Sequence, residues 1–224
     1  MKNLFVMTKN AKRFQSAVER INHKLKGVER LALVIGEPGL GKTETAIHYC
    51  AQSGAVIIRI LRLMTGPWLM RKIVSELGAS PSFRTHENFD RIGDLLDGKS
   101  RTIIFDEVDR LANETEVLEV LRDIHDVYHV PMVFIGEEAA DKKLRTNRRF
   151  YRRFVEFVKF ERLDAEGVRQ FVMELSSYRF QDNAVDRIAA ETSGKISDII
   201  SMIHRAEAAA ATNNLKSIDA KDFG

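Results

Sequence analysis

The sequence has a single cysteine, Cys50, among its 224 residues. One cysteine cannot form an internal disulfide, and the six histidines are scattered without the spacing of a metal-ligand cluster. No apolar run approaches the roughly 20 residues that a membrane helix needs, and residues 1–14 lack the apolar stretch of a signal peptide. These absences argue against a disulfide-stabilised or membrane-spanning protein, and they favour a reducing, cytoplasmic setting without a membrane partner.

The sequence also lacks a large excess of one charge: it has 35 basic and 32 acidic residues, and the formal net charge is +3. The average charge therefore says little about nucleic-acid partners. Its distribution is more informative. Residues 1–30 carry eight basic and two acidic side chains, and residues 141–162 carry nine basic and three acidic ones. These two basic zones predict binding to a phosphate backbone.

Short apolar runs separated by helical patterns indicate the fold class. Strands are predicted at residues 31–35, 55–60, 102–105, 132–136 and 155–160. Because these runs are apolar on both faces and alternate with amphipathic segments, they predict an α/β fold with a five-stranded parallel sheet between helices.

Three segments follow from these patterns. Residues 1–30 form a basic segment and an amphipathic helix, for which helical spacing continues over residues 10–26 until Gly27. Residues 31–162 form the α/β core, in which Asn113 and Glu116 predict a capping box at one helix start. Residues 163–224 show only helical patterns and predict a small all-helical C-terminal piece.

The strongest motif is GEPGLGKT, residues 36–43, which lies between a predicted strand and a predicted helix. This context is the one that the phosphate-binding pattern G-x-x-x-x-G-K-[ST] requires, and it disfavours a chance glycine-rich turn. The glycines allow backbone N–H groups to face a polyphosphate. Lys42 would reach the β- and γ-phosphates of ATP, and the Thr43 hydroxyl would bind Mg²⁺. The candidate nucleotide contacts are Gly36, Glu37, Pro38, Gly39, Leu40, Gly41, Lys42, Thr43 and Glu44.

The second motif is RTIIFDEVDR, a buried-strand pattern that ends in two adjacent acids. Ligands of open α/β sheets bind at this end of the strands. Asp106 would join Thr43 as a magnesium ligand through the water shell, and Glu107 would orient and deprotonate the attacking water. A polar turn that merely closes a strand is the alternative, and the phosphate loop 64 residues earlier disfavours it.

The third group is RTNRRFYRRF, residues 145–154, where five arginines alternate with aromatic residues. One of them would act as an arginine finger in a neighbouring subunit's site, with Arg153 favoured over Arg152. The alternative is a solvated basic helix face above buried aromatic residues. Candidate DNA contacts in this segment are Arg145, Arg148 and Arg149.

Residues 62–72 offer a second set of DNA contacts in Thr65, Arg71 and Lys72. Trp68 could stack on a base there, but a lone tryptophan beside Leu and Met at a helix start is more often a core residue. His125 and His129 are expected to be surface groups, because no third metal ligand accompanies them.

Taken together, these motifs resemble an AAA+ ATPase, and more narrowly the transposition regulators of the MuB/TnsC type. The narrower likeness covers about residues 10–212 and rests on the opening helix, on residues 59–78 and on RRFYRRFVEFVKFERLDAEGVRQFV. The resemblance implies ATP hydrolysis with Mg²⁺, a C-terminal helical lid at residues 163–224, and homo-oligomeric helical filaments or rings on double-stranded DNA that recruit a transposase. It assigns catalytic roles to Lys42, Asp106, Glu107 and Arg153.

Two positions depart from the family pattern. The polar sensor expected after the fourth strand falls on Gly136 and Glu137. The sensor arginine expected soon after Gly194 is replaced by Lys195 or Ser197. Slow, DNA-stimulated hydrolysis is the expectation that follows.

Two other classes of ATPase would have the same predicted sheet. A helicase loader or origin-binding AAA+ protein normally carries a helicase-binding or winged-helix region, and neither pattern is visible in this sequence. A regulatory ATPase of the secretion-associated ExeA type would have no affinity for duplex DNA.

Overall fold

The computed structural model describes residues 1–24, 27–97, 101–111 and 115–223 of the chain. Leu25, which completes the predicted pattern of the opening helix, and Asn113 of the predicted capping box lie outside the described residues. The chain forms two compact units. The sheet unit contains residues 13–36 and 42–159, and the helical unit contains residues 1–12, 37–41 and the chain from residue 160 onward.

The sheet unit is built on five parallel strands, and this confirms the predicted fold class. They are β1 (Leu31–Ile35), β2 (Val56–Arg59), β3 (Ile103–Asp106), β4 (Met132–Gly136) and β5 (Phe154–Lys159), in the order β2-β3-β4-β1-β5. Among the described residues of this unit, seven α-helices accompany them: α1 (Lys9–Asn22), α2 (Lys42–Ser53), α3 (Gly66–Glu76), α4 (Thr85–Leu96), α5 (Thr115–Tyr128), α6 (Glu138–Leu144) and α7 (Arg148–Tyr151). Helix α1 begins within the helical unit and continues into the sheet unit.

Helix α1 ends at Asn22, earlier than the predicted limit at Gly27. The Arg30 guanidinium explains this end, because it donates hydrogen bonds to the carbonyls of Ile21 (2.8 Å) and Asn22. A cation that satisfies the last carbonyls stabilises a helix C-terminus.

The core of the sheet unit contains an aromatic cluster that anchors the arginine-rich segment. Phe134 of β4, Phe150 of α7 and Phe154 of β5 meet edge to face, with ring centroids 5.3–5.5 Å apart. The basic-face alternative placed Phe150, Tyr151 and Phe154 beneath the arginines; Phe150 and Phe154 are buried, and Tyr151 is only partly buried. Such contacts stabilise beyond the area they bury, so the backbone beneath the arginines is firmly placed.

Strand register brings the motif residues to one edge of the sheet. Arg59 is paired with Asp106, Asp106 with Ile135, and Ile35 with Gly136. Since all strands are parallel, the start of the phosphate loop and the acidic pair lie at the same carboxyl edge, where open α/β sheets bind ligands.

The helical unit contains α8 (Ala165–Leu175), α9 (Asp182–Thr192) and α10 (Ile196–Thr212), together with a short parallel pair, β6 (Arg179–Phe180) and β7 (Ser217–Ile218). The prediction of an all-helical piece was therefore wrong in one detail. Strands of two residues are too short to produce a period-two pattern in the sequence. Among the described residues, no helix is both long and apolar enough to span a bilayer.

The first twelve residues belong to the helical unit, so the structure divides the chain differently from the predicted boundaries at residues 30 and 162. Lys9 pairs with Asp164 at 2.6 Å, and the Asn10 side chain exchanges two hydrogen bonds with the Glu161 backbone. Val6 is buried in the core of this unit. Contacts over such sequence separations leave no trace in local patterning.

Candidate active site

The phosphate loop depends on glycines at two positions with φ of +81°, Gly39 and Gly41. L-residues rarely adopt this conformation. A Cβ atom at Gly39 would also overlap Ser197 Oγ and lie 2.9 Å from Lys195 Cε, within the helical unit. The loop therefore exposes backbone at the point where the motif requires a phosphate to approach.

The other side chains of the predicted contact set differ in their settings. Leu40 is buried in the helical unit, so its side chain contributes to packing, whereas Pro38 is exposed. Glu44 lies exposed in the first turn of α2, where a carboxylate is favoured by the helix dipole. Glu37 is paired with Arg162, whose Nη2 and Nε lie 2.7 and 3.1 Å from Oε2.

Lys42 and Thr43 open α2 at the carboxyl edge of the sheet. Lys42 Nζ donates to the Gly36 carbonyl at 2.6 Å, so the ammonium group is folded back onto the loop. Thr43 Oγ1 donates to Asp106 Oδ2 at 2.8 Å. The structure thus brings together two residues that lie 63 positions apart in the chain.

The Thr43–Asp106 pair fits a magnesium ion. Mg²⁺ is held octahedrally by oxygen atoms at about 2.0–2.1 Å, which places neighbouring ligands about 2.9 Å apart. Thr43 Oγ1 and Asp106 Oδ2 lie 2.8 Å apart, an ordinary hydrogen-bond distance, so both oxygens are close enough to serve one ion, directly or through a bound water. Asp106 is buried, and its other oxygen accepts from the Glu107 N–H at 3.0 Å, which fixes the carboxylate.

Glu107 has an unusual backbone and a crowded carboxylate. Its φ and ψ are 60° and 41°, a left-handed conformation that non-glycine residues rarely adopt and that often marks functional sites. Arg59 donates to Oε1 and Arg110 Nη2 lies 2.5 Å from Oε2, although the Arg110 contact is not aligned as a hydrogen bond. The Glu107 carboxylate raises the pKa of Arg59. Two guanidinium groups therefore occupy the Glu107 carboxylate in this structure.

Arg59 was missed by sequence reasoning. It lies at the end of β2, and only the pairing of β2 with β3 places it next to the acidic motif. Arg162 was counted only as part of a basic zone, and its ion pair with Glu37 shows that it lies at the phosphate loop. A basic residue near the end of a predicted strand was the available signal for Arg59.

The first departure from the family pattern has a packing explanation. A Cβ atom at Gly136 would lie 2.8 Å from Ala140 Cβ and 2.9 Å from Asp109 Oδ1, so a polar side chain does not fit there. The Glu137 N–H donates to Asp109 Oδ1 at 3.0 Å, and the Glu137 side chain is exposed. Asp109 is therefore the polar side chain seated at the end of β4.

The second departure lies in the helical unit. Lys195 is the N-cap residue of α10, and the N–H of Ser197 donates to the Gly39 carbonyl at 3.0 Å. Both residues thus lie against the phosphate loop, where the family pattern expects an arginine. Lys195 Nζ is 3.8 Å from Asp198 Oδ1, a long ion-pair distance.

The arginine-rich segment presents its side chains in different ways. Arg153 donates to both oxygens of Asp126, at 2.9 and 2.5 Å, and to the Arg149 carbonyl at 3.0 Å. Arg145 pairs with Asp141 at 2.9 Å and lies over the Tyr151 ring. The guanidinium groups of three further arginines are exposed and have no ion-pair partner among the described residues: Arg148, Arg149 and Arg152.

Residues 62–72 present a mixed surface at the start of α3. Trp68 is 37% exposed, so the core interpretation was wrong. Leu69 and Met70 take the buried face of the helix instead. Thr65 and Arg71 are exposed, and Lys72 pairs with Glu76 at 2.6 Å. This set and the arginine-rich segment lie on different elements, α3 and α6–α7.

Residues 25–144, more than half of the 224-residue chain, match the AAA domain family. The chain belongs to the AAA domain family. Replication factor C subunit 1 of Saccharomyces cerevisiae is 25% identical over 205 residues, which cover 86% of this AAA domain chain and 22% of that protein.

Solved structures share the fold. The Aeropyrum pernix ORC2 protein in ADPNP-ADP complexes covers the whole AAA domain chain with a TM-score of 0.74 at 13% identity, and 69% of that chain is matched. The match to the Aeropyrum pernix ORC1 protein in complex with DNA covers 97% of this chain and 64% of the ORC1 chain, with a TM-score of 0.65 at 15% identity. The match to the Thermotoga maritima RuvB Holliday junction branch migration motor covers 96% of this chain and 66% of the RuvB chain, with a TM-score of 0.62 at 18% identity.

The TM-scores show that the fold is shared, and the matched AAA domain family is one of nucleotide-hydrolysing ATPases. The chain spans about a fifth of the replication factor C subunit and less than two thirds of the ORC1 chain that it matches.

Proposed function

We propose that this AAA domain is a magnesium-dependent ATPase that assembles as a homo-oligomer on double-stranded DNA. Its finer role, inferred from the resemblance to MuB/TnsC regulators, is to select a transposition target and recruit a transposase. The observation that supports the ATPase most directly is the 2.8 Å contact between Thr43 and Asp106, beside a glycine loop that excludes side chains.

Each residue of the candidate site has a separate role in the proposed hydrolysis of ATP. The backbone of the phosphate loop and Lys42 would bind the phosphates of ATP, with Lys42 leaving the Gly36 carbonyl to do so. Thr43 and Asp106 would hold Mg²⁺, which neutralises charge that develops on the phosphate oxygens. Glu107, once released by Arg59 and Arg110, would accept the proton of the attacking water.

The DNA partner is supported by exposed cationic side chains. Arg71, Arg148 and Arg149 are exposed and have no ion-pair partner among the described residues. Solvated guanidinium groups of this kind neutralise phosphates and release counterions. Two structural relatives, the Aeropyrum pernix ORC1 protein and Drosophila ORC, have been solved as complexes with DNA.

An origin-binding role is the second candidate, and the structural likeness to ORC1 and ORC2 favours it. Both roles require ATP-dependent binding to duplex DNA, so that property does not separate them. Helical particles on DNA that stimulate a transposase would favour the transposition role. Assemblies that load or retain a helicase would favour the origin-binding role.

The central test is a gel shift of a fluorescent duplex with ATP, ADP or no nucleotide over a range of salt. We expect the duplex to be shifted only in the presence of ATP. The shifted fraction should fall steeply as the salt concentration rises, because contacts with DNA phosphates dominate the affinity. Equal retention in all three nucleotide states would refute ATP-dependent binding. ATP hydrolysis without any retention would favour the regulatory ATPase that does not bind DNA.

The Lys42→Ala substitution is expected to weaken ATP binding by about 10- to 100-fold, since a hydrogen bond to a charged group contributes about 1.5–3 kcal/mol. Fluorescent-nucleotide titration measures this change, and the duplex shift should disappear in parallel. Lys221→Ala, which removes an exposed lysine of the helical unit, is the control. Undiminished ATP affinity in Lys42→Ala would contradict the assignment of the phosphate loop.

The Arg71→Ala and Arg148→Ala substitutions are each expected to reduce the slope of log affinity against log salt by about 1. Binding to different duplex sequences should weaken equally, because phosphates carry no base information. Arg84→Ala is the matched control, since Arg84 is exposed but pairs with Glu87 at 3.1 Å. If the slope is unchanged in both test variants, Arg71 and Arg148 do not contact DNA phosphates, and the contacts must be made by other residues.

A further inference from the structure

His125 contradicts the expectation that it is a surface group. It is 3% exposed on α5, and both ring nitrogens contact oxygen atoms. Nδ1 lies 2.9 Å from the Val130 carbonyl, and Nε2 lies 2.9 Å from Glu29 Oε2. A carbonyl oxygen only accepts, so Nδ1 must carry a hydrogen.

The other contact then joins two acceptors. In a neutral imidazole with its hydrogen on Nδ1, Nε2 presents a lone pair, and the ionised Glu29 carboxylate presents another. Two lone pairs at 2.9 Å repel unless a cation lies between them. Either a proton or a metal ion can supply this positive charge.

Asp126 offers the third ligand. The ligand atoms of Glu29, His125 and Asp126 all lie within 4.8 Å of one another, so small side-chain movements would bring them onto one ion. One imidazole nitrogen and two carboxylate oxygens form a donor set that Zn²⁺ accepts. The bond from Nδ1 to the Val130 carbonyl also matches the orientation of metal-bound histidines, whose second nitrogen donates to a carbonyl or carboxylate.

An ion can reach this group from solvent. The side chains of Glu29 and Asp126 are 42% and 39% exposed, whereas His125 lies beneath them. Asp126 accepts two hydrogen bonds from the Arg153 guanidinium, one at each carboxylate oxygen. An arginine side chain thus occupies the carboxylate that an incoming ion would need.

We propose that Glu29, His125 and Asp126 form a binding site for a divalent transition-metal ion, with Zn²⁺ as the best fit, and that Arg153 competes with this ion for Asp126. The site is separate from the Thr43–Asp106 pair and takes a different class of metal. Loading it releases the Arg153 guanidinium from Asp126, so metal occupancy would govern where that side chain points.

The test is a Zn²⁺ titration of the full chain at pH 7.5 without nucleotide. Binding is measured by calorimetry or by competition with a chromophoric chelator. We expect one site per chain that does not take up Mg²⁺, because a nitrogen ligand favours transition metals over hard cations. Glu29→Gln and Asp126→Asn should each weaken Zn²⁺ binding at least tenfold. Asp123→Asn, one turn earlier on α5, and His129→Ala should leave binding unchanged.

Arg153→Ala distinguishes the site from a purely structural ion-pair cluster. Removing the competitor should tighten Zn²⁺ binding at least fivefold, and Co²⁺ should give a visible absorption band that Glu29→Gln abolishes. Unaltered affinity in Arg153→Ala would overturn the competition. Absence of stoichiometric Zn²⁺ uptake by the unmodified chain, or a site that survives both carboxylate variants, would overturn the proposal and leave a protonated His125 paired with Glu29.

Discussion

Replacing Arg153 with alanine is expected to lower DNA-stimulated ATP hydrolysis by about 10³-fold or more, with ATP binding retained. An arginine finger stabilises charge that develops on the transferred phosphoryl group in a neighbouring subunit, so its loss affects turnover and not nucleotide affinity. Steady-state hydrolysis with saturating duplex, together with a nucleotide titration, separates the two quantities.

The structure gives this prediction a specific form. The Arg153 guanidinium is bound to Asp126 and to the Arg149 carbonyl within its own subunit, so it must leave these partners to act on another. Arg152 is one residue away, exposed, and without an ion-pair partner among the described residues. Arg152→Ala is therefore the matched comparison, and a larger loss in that variant would reassign the finger.

Mixed oligomers provide the decisive control. An Arg153→Ala subunit keeps an intact phosphate loop, and a Lys42→Ala subunit keeps an intact finger. If the finger acts between subunits, a mixture of the two inactive variants should recover part of the activity, because some interfaces then combine an intact loop with an intact arginine. No recovery in mixtures that do assemble on DNA would contradict action between subunits.

The second large effect is expected for Glu107→Gln, which should reduce hydrolysis by about 10²- to 10⁴-fold, the range for loss of a general base. ATP binding should persist, because Lys42, Thr43 and Asp106 are unchanged. Since DNA binding is proposed to depend on bound ATP, a variant that keeps its ATP unhydrolysed should remain on duplex DNA for longer. Single-turnover hydrolysis and dissociation of labelled duplex measure the two outcomes.

The control for this substitution is Glu119→Gln, which removes a carboxylate of α5 that pairs with Arg122. It should leave both quantities unchanged. Monomers of Glu107→Gln on DNA in electron micrographs, or hydrolysis near the rate of the unmodified chain, would remove the water-activating role. In that case the left-handed backbone of Glu107 and its contacts with Arg59 and Arg110 would have only a structural purpose.

Local patterns predicted the elements well, because strands and helices in this chain are encoded by nearby residues. The runs at residues 31–35 and 132–136 are strands with the predicted bounds, and the phosphate-loop helix ends at Ser53, just before Gly54. Of the three aromatic residues that the basic-face alternative placed in the core, Phe150 and Phe154 are buried and Tyr151 is partly buried.

Errors arose where burial depends on partners far away in the chain. Trp68 follows a turn and looked like a core residue, but its helix buries Leu69 and Met70 instead. His125 looked like a surface residue, but Glu29 and the Val130 carbonyl enclose it. A single sequence shows which residues can be buried, and packing decides which of them are.

The sequence by itself determined the glycine loop, the strand-ending acids and the five-stranded parallel sheet, since each rests on residue types within a short window. Only the tertiary structure decided that Arg59 faces Glu107, that Asp126 binds Arg153 and that residues 1–12 join the C-terminal unit. The physical reason is that strand pairing and ion-pair geometry are set by the whole fold. A charged residue has many acceptable partners within the sequence, and packing brings only a few of them within reach, as Arg59 and Arg110 show for Glu107.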